Sequence, residues 1–532
     1  MKTKRKFIIS VIITIVLTAA VTVYLSFPSV PGMFKLNQQL QEQGYYMAEF
    51  EFKMVAIAYY LDKGRYYTAL SMLHKLNKQL ETREGLIKVP EFKNKNEEME
   101  FYLNRQNPRT GAFMDDSYPF FTFISPTGNI LNHLDALAQQ TGQPLKLKYP
   151  LRFLDEVNTP EKLNNFLNEI TEVGWLGNKF PQTTFHFTRC LLSLFYEDPI
   201  IEKYDLYEVS PEWKTALLKW FYDHQDPESG IWGPRSKSGK LLRIDTSNSA
   251  KIIKAFVDDD GNDRFKDFPL NYRDQIAASF LNQSFDNIPE DSDLDEWHEW
   301  SLNTPKSLRT LTRYLWSGLS EEMKAKAKEQ IEYFIRIKFE KFYIADEGSF
   351  SYYPGAEHAT IEGSGIITDF DNYGLCSEKN RIRLWGDPEK NCTDLGSFKV
   401  KRITETDLKM IANAAKVNSI RFYATNPGTG FYTEKALGVF YPEKTAVLDV
   451  MDFIPKMKIW ISDTSQIMGN WTSREDIRQR LSEINIKPVP VLKEELPLNE
   501  LNSVLLKNHK LILVGFDILQ VPVYIINFEL QD

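Results

Sequence analysis

The chain has 532 residues, 42% hydrophobic and 26% charged, a balance that suits a globular protein of two or three domains. Its formal net charge is −8, with no long basic run beyond the N-terminus, which argues against nucleic acid as a partner. Aromatics make up 13% of residues, enough to fill a large core or to line a cavity that receives carbon-rich ligands or sugars.

Taken in chain order, the first element is an apolar run. Lys2, Lys4, Arg5 and Lys6 precede the uncharged stretch Phe7 to Phe27. At ~1.5 Å per residue such a helix reaches ~30 Å, the thickness of the hydrocarbon layer. The basic cluster then stays cytoplasmic and the bulk of the chain lies outside the membrane. A cleaved signal peptide is the alternative. Its apolar core is usually ~7–15 residues ahead of a small-x-small site, and "YLSFPSVPG" is a poor site. The expectation is therefore an uncleaved anchor over residues 1–30. Residues 31–90, including "YYMAEFEFKMVAIAYYLDKGRYYTALSMLHKL", read as amphipathic helices joining that anchor to the rest of the chain.

A repeat begins next. "FYLNRQNPRTGAF" ends at Phe113 and "FYDHQDPESGIW" ends at Trp232. Both read aromatic-Tyr, then Gln-[Asn/Asp]-Pro-x-[Ser/Thr]-Gly-x-aromatic. "ADEGSF", Ala345 to Phe350, keeps the Gly-x-aromatic end. Gly111, Gly230 and Gly348 are spaced 119 and 118 residues apart, and a fixed long period marks a repeat architecture. Near the midpoints stand "TEVGWLG" and "NQSFDNIPED".

Helical periodicity supplies a first series of runs at 94–106, 160–173, 211–225, 270–282 and 320–338. A second series falls between them at 129–140, 184–195, 248–257 and 305–319. First-series runs such as "SEEMKAKAKEQIEYFIRIKF" are amphipathic and suit an outer layer. Second-series runs such as "FHFTRCLLSLF" are more uniformly apolar and suit an inner one. Several of the second series follow Ser or Thr, residues that cap a helix start. The repeating unit is helix, Gly-bearing turn, helix, and two concentric layers of helices make an α/α toroid over residues 91–375. In the turn, Pro lacks an N–H, Gly takes a left-handed residue, the aromatic packs back on the helix, and Gln225 binds free carbonyls at its end.

The string Gln-x-x-x-x-Gly-x-Trp at Gln225–Trp232 resembles the repeat motif of squalene and hopene cyclases, and Gln106–Phe113 is similar with Phe in place of Trp. The resemblance implies the α/α-toroid fold of the terpenoid cyclase and protein prenyltransferase superfamily. It does not extend to the chemistry. The cyclases' Asp-x-Asp-Asp acid is not matched by "DSDLDEW", and only a partial zinc set of the prenyltransferase kind is seen.

Candidate catalytic residues come from two segments. "GAEHATIEG" carries Glu357, His358 and Glu362, with His358 and Glu362 four apart and so on one face if helical, and Tyr352 and Tyr353 nearby. "GAFMDDSYPFF" carries Asp115 and Asp116 just past the first repeat turn. In a toroid such loops gather at one mouth. Trp232 and Arg235 of "GIWGPRSKSGK" would join them there, and Trp297 and His298 of "DEWHEW" offer sugar-stacking and hydrogen-bonding groups. The structural alternatives are an Asp turn, a rim salt bridge and tryptophans that anchor the wall. His186 and Cys190, four apart, have zinc-ligand spacing but sit in an apolar run, and "DDDGND" lacks the Glu of a calcium loop. No metal or cofactor is expected.

Residues 376–444 read as a linker, with "NPGTGFY" as a possible degenerate turn, and residues 445–532 as a small α/β domain suited to partner binding or packing. Cys376 and Cys392 either close a short disulfide loop or remain two thiols. The leading functional expectation is an anchored extracytoplasmic enzyme acting on a glycan or similar polymer by acid–base chemistry, as lyase, hydrolase or epimerase. A non-catalytic scaffold with a protein partner at its C-terminal domain is the second reading, and a terpenoid or prenyl enzyme the third.

Overall fold

The structure, a computed structural model, describes residues 29–424, 438–440, 498–517 and 522–531. It has breaks at 48–49, 181, 198, 284–288, 291, 345–346, 348, 376–377, 387–391, 416 and 418. The described chain is mainly helical, with a small sheet toward the C-terminus. It divides into two units. The first runs to Asp258 and adds Asp263–Asn271. The second takes Asp259–Asn262 and everything from Tyr272. Among the described residues no helix is long and apolar enough to cross a membrane, and the expected anchor at Phe7 to Phe27 lies outside them.

The first unit opens with α1 (Val30–Glu42), α2 (Phe50–Asp62) and α3 (Tyr66–Thr82), with a two-residue ladder between β1 (Tyr45–Tyr46) and β2 (Ile87–Lys88). Helical hairpins follow: α4 (Lys95–Leu103), α5 (Phe121–Thr141), α6 (Pro160–Thr171), α7 (Phe185–Leu192), the short α8 (Ile200–Lys203), α9 (Pro211–Asp223) and α10 (Thr246–Phe256). They pack in two rows. In one row α5 packs on α7 and α7 on α10; in the other α6 packs on α9. The difference in burial is written in the sequence. All eight residues of α7 are buried. On α6 only Leu163, Leu167, Ile170 and Thr171 are, a single stripe at helical spacing.

Capping differs from expectation. Side-chain caps sit on the amphipathic row: Asn94 accepts from Glu97 N, Thr159 from Lys162 N and Ser210 from Trp213 N, with Pro at the first helical position of α6 and α9. The hydroxyls ahead of the apolar row mostly do something else. Thr127 Oγ1 accepts from Phe113 N and Ser249 Oγ from Trp232 N, so each inner helix is stitched to the aromatic residue of the preceding turn. "SPT" lies inside α5, which starts at Phe121, and Asp245 rather than a Thr caps α10.

The two glycine turns are the same object. In the first, Gln106 Nε2 donates to Gly111 O and to Tyr149 O. In the second, Gln225 Nε2 donates to Gly230 O and to Asn271 O. Gly111 and Gly230 have φ of +75° and +68°. A Cβ on Gly111 would fall 1.9 Å from Pro150 O, so the turn is also closed sterically. The midpoint segment "TEVGWLG" is built otherwise: Asp62 accepts from Leu176 N at 3.0 Å and Gly177 N at 2.5 Å. Most of "NQSFDNIPED" lies outside the described residues.

The second unit continues with α11 (Arg273–Gln283), α12 (Leu294–Arg309) and α13 (Glu321–Ile337), which pack on one another. The "LNTPK" segment lies inside α12, so this helix begins well before the expected residue 305. Both α12 and α13 run on into a π-helical turn, Thr310–Leu315 and Lys338–Phe342. The third glycine segment is flanked by a β-ladder, β3 (Tyr343–Ile344) against β4 (Ser349–Phe350), and Gly348 itself lies outside the described residues. Then come α14 (Ile361–Ser364), a 3-10 turn at Gly365–Asp369, and α15 (Glu378–Trp385).

The sheet starts earlier than residue 445. β5 (Thr393–Val400), β6 (Ser419–Ala424) and β7 (Gly438–Phe440) come from the segment expected to be a linker. They join β8 (Lys510–Phe516) and β9 (Pro522–Leu530) in the order β5-β9-β8-β6-β7. Among the described strands of this sheet only β5 and β9 pair in parallel. Helices α16 (Glu405–Ala415) and α17 (Leu498–Asn508) contribute Leu408, Leu501 and Leu505 to a core shared with Ile420, Phe422, Leu513 and Ile526 of the sheet. The strand reading of β5 is hidden by exposure: seven of its eight residues face solvent, so hydrophobic alternation is absent. "NPGTGFY" and the strand-like segments at 445–497 lie outside the described residues.

Candidate functional site

A cavity of about 600 Å³ opens in the second unit. Its walls are α12 and its C-terminal end, the π-turn after α13, and the segment from Tyr352 to Asp369. Gly363 lets α14 approach the backbone of Ser351, where a Cβ would stand 2.2 Å from the carbonyl carbon, and so shapes one wall.

Four of the residues singled out in the sequence line it: His298, Tyr352, Tyr353 and Glu362. His298 Nδ1 and the Tyr353 hydroxyl are 3.1 Å apart, and the Tyr352 hydroxyl donates to His298 O at 3.3 Å. Burial first, then the nearby Tyr353, Glu299 and Glu362, pushes the Tyr352 phenol up to about 12, so at neutral pH it is a proton donor. Glu362 is exposed at the rim.

The sequence reading missed the rest of the lining. Lys306 and Arg309 bring cations from α12, and Arg309 is 3.2 Å from Asp369, a carboxylate that is only 7% exposed and also accepts from Asn372. At the back is Lys338. Its residue is 2% exposed and its ammonium sits 3.7 Å over the Phe342 ring, with Trp300 and Phe334 close by. It donates to Ser301 Oγ at 3.3 Å, and Ser301 donates on to Tyr352 O. Desolvation pushes the Lys338 amine down to about 7. A signal existed: Phe334, Lys338 and Phe342 stand four apart, which puts a lysine on the apolar stripe of its helix.

The other expected site residues are placed elsewhere. His358 Nδ1 is 2.6 Å from Glu347 Oε1, whose other oxygen accepts from Ala359 N. The helix carrying Glu362 begins only at Ile361, so His358 and Glu362 share no helical face, and Glu357 is exposed. Trp297 is fully buried against Trp300 and Phe342 as part of the wall.

Within the first unit, Asp115 accepts from Ser117 and Gln79, while Asp116 pairs with Arg109 at 2.7 Å, so the two carboxylates face different partners. Burial alone would raise the Asp115 carboxyl, but the Ser117 and Gln79 hydrogen bonds and Lys75 outweigh it and hold the group below its usual range. Trp232 is 1% exposed, donates to Phe221 O and stacks on Phe256. Arg235 donates to Gly239 O and His224 O and so ties its own loop together.

His186 and Cys190 meet at 3.2 Å inside α7, with Phe52 stacked on the imidazole. Among the described residues no group of three or more His, Cys, Asp and Glu is arranged to hold a metal. Cys392 is a free thiol, and Cys376 lies outside the described residues.

No protein-family model matches the chain, no curated protein matches it, and no solved structure matches it.

Proposed function

We propose that the protein is a membrane-anchored, extracytoplasmic α/α-toroid enzyme that acts on an acidic glycan by acid–base chemistry, as a lyase or epimerase. The cavity carries this reading. It gathers a hydrogen-bonded imidazole–phenol pair, a second phenol that stays protonated, a carboxyl at the rim and two cations. Abstraction of a proton next to a sugar carboxylate needs those parts. Lys306 and Arg309 would neutralise the carboxylate and the charge that builds on it, the His298–Tyr353 pair would take the proton, and Tyr352 would donate one. Hydrolysis is less well served, because it calls for two available carboxyls across the scissile bond and Asp369 is engaged by Arg309.

The Gln-locked turns and the two helical rows of the first unit support the resemblance to α/α-toroid proteins, and the uncharged run Phe7 to Phe27 supports the anchor. No cofactor is invoked. The test is to incubate the full chain in detergent with uronate-containing and neutral polysaccharides. Elimination is read by the ultraviolet absorbance of the unsaturated sugar, and epimerisation by proton exchange with deuterated solvent. Turnover confined to the acidic polymers is expected; inertness toward all of them would sink the reading.

A further inference from the structure

The amine of Lys338 has an unusual setting. It lines the cavity, is almost wholly buried, and has Phe342, Trp300 and Phe334 around it. Among the described residues its one hydrogen bond is to Ser301 Oγ, and no carboxylate is paired with it. Burying a lysine without a counter-ion favours the neutral amine, a nucleophile. The titratable groups that share the cavity are His298, Lys306 and Arg309 from α12, and Glu362 and Asp369 from the segment after β4, with the two tyrosines beside them.

We propose that Lys338 captures the carbonyl group of a small 2-oxo acid or aldehyde acid, whose carboxylate is held by Lys306 and Arg309, as an imine. The neutral nitrogen adds to the carbonyl carbon, and the oxygen takes up a proton. The resulting carbinolamine loses its hydroxyl and one N–H hydrogen as water, leaving a carbon–nitrogen double bond. No oxidant or reductant is needed. The aromatic ring of neighbours excludes the bulk water that would reverse the step. The inference does not depend on the glycan reading, because it requires only the cavity and the amine.

The experiment uses the full chain in detergent with pyruvate and sodium cyanoborohydride. The reagent reduces an iminium to a stable secondary amine, which peptide mass mapping locates. With the Lys338 amine pushed down to about 7, its labelling should level off above neutral pH. Exposed lysines, with ordinary values near ~10.4, should go on rising through the alkaline range. At neutral pH Lys338 should label on the order of 1,000-fold faster than exposed lysines, since about half of it is neutral against ~0.04% of them. Pyruvate should label it at least tenfold faster than acetone. K338M should lose the fast labelling and keep the helical circular dichroism of the parent; if that variant does not fold, the pH profile of the unmodified chain decides alone. Labelling of Lys338 no faster than exposed lysines overturns the proposal, and acetone matching pyruvate overturns its acid-binding half.

Discussion

Gln106 and Gln225 each donate from one amide nitrogen to two carbonyls, one inside their own turn and one at the start of the next repeat. Both are buried, at 4% and 5% exposure, so truncation leaves those carbonyls without a donor and without water. Gln225→Ala should therefore destabilise the protein by ~1–3 kcal/mol, measured by chemical denaturation. A change within ~0.5 kcal/mol, the usual range for surface positions, would show that the turn does not lock the repeats. These positions were legible because the same residues recur at the same offsets. Lys338 carried a weaker signal, its four-residue spacing to Phe334 and Phe342. Its burial has a measurable sign. The unfolded chain binds more protons than the folded one between the folded value of about 7 and the unfolded one near ~10.4, so this group makes stability rise with pH across that window. K338M should raise the melting temperature at pH 7 and lose much of that gain at pH 10. Equal gains at both would mean that the amine is not desolvated.

At the scale of elements, helix α13 carries the opposite titration. Glu332 is pushed up to about 7, first by burial and then by Asp517 just beyond β8. Its folded value lies above the unfolded ~4.3, so its contribution to stability is fully present below that lower value and is lost as pH rises through about 7. Glu332→Gln should flatten this fall and make the protein more stable than the parent at pH 8, read as a higher denaturation midpoint. A parent-like slope in the variant would contradict the assignment. Helix positions were readable from periodicity, and the two rows separated by how far round each helix the apolar residues extend. Starts were less readable where Pro126 and Pro305 lie inside α5 and α12, because a proline ordinarily marks a boundary. The sheet was half visible. β8 and β9 are apolar and buried, whereas β5 is an exposed edge whose partner lies far along the chain.

For the molecule as a whole, the sequence carried the helical class, two of the three glycine turns and four cavity residues. It did not carry which loops converge. Convergence of His298 with Tyr353 depends on where α12 packs relative to the turn after α13, and no local pattern encodes that. The acidic chain, with net charge −8, brings Lys306, Arg309 and Lys338 into one cavity with Glu362 and Asp369, a grouping drawn from helices and loops far apart in sequence. The most direct measurement compares turnover of the best acidic polysaccharide by the full chain, by Tyr353→Phe and Tyr352→Phe, and by Asp116→Asn. The account predicts that the first two variants lose ~100-fold or more in kcat, as expected for removal of a group that moves a proton. Asp116→Asn, which touches only an exposed ion pair with Arg109, should stay within ~threefold of the parent. Undiminished turnover in both Tyr353→Phe and Tyr352→Phe would contradict the account and move the working site out of this cavity.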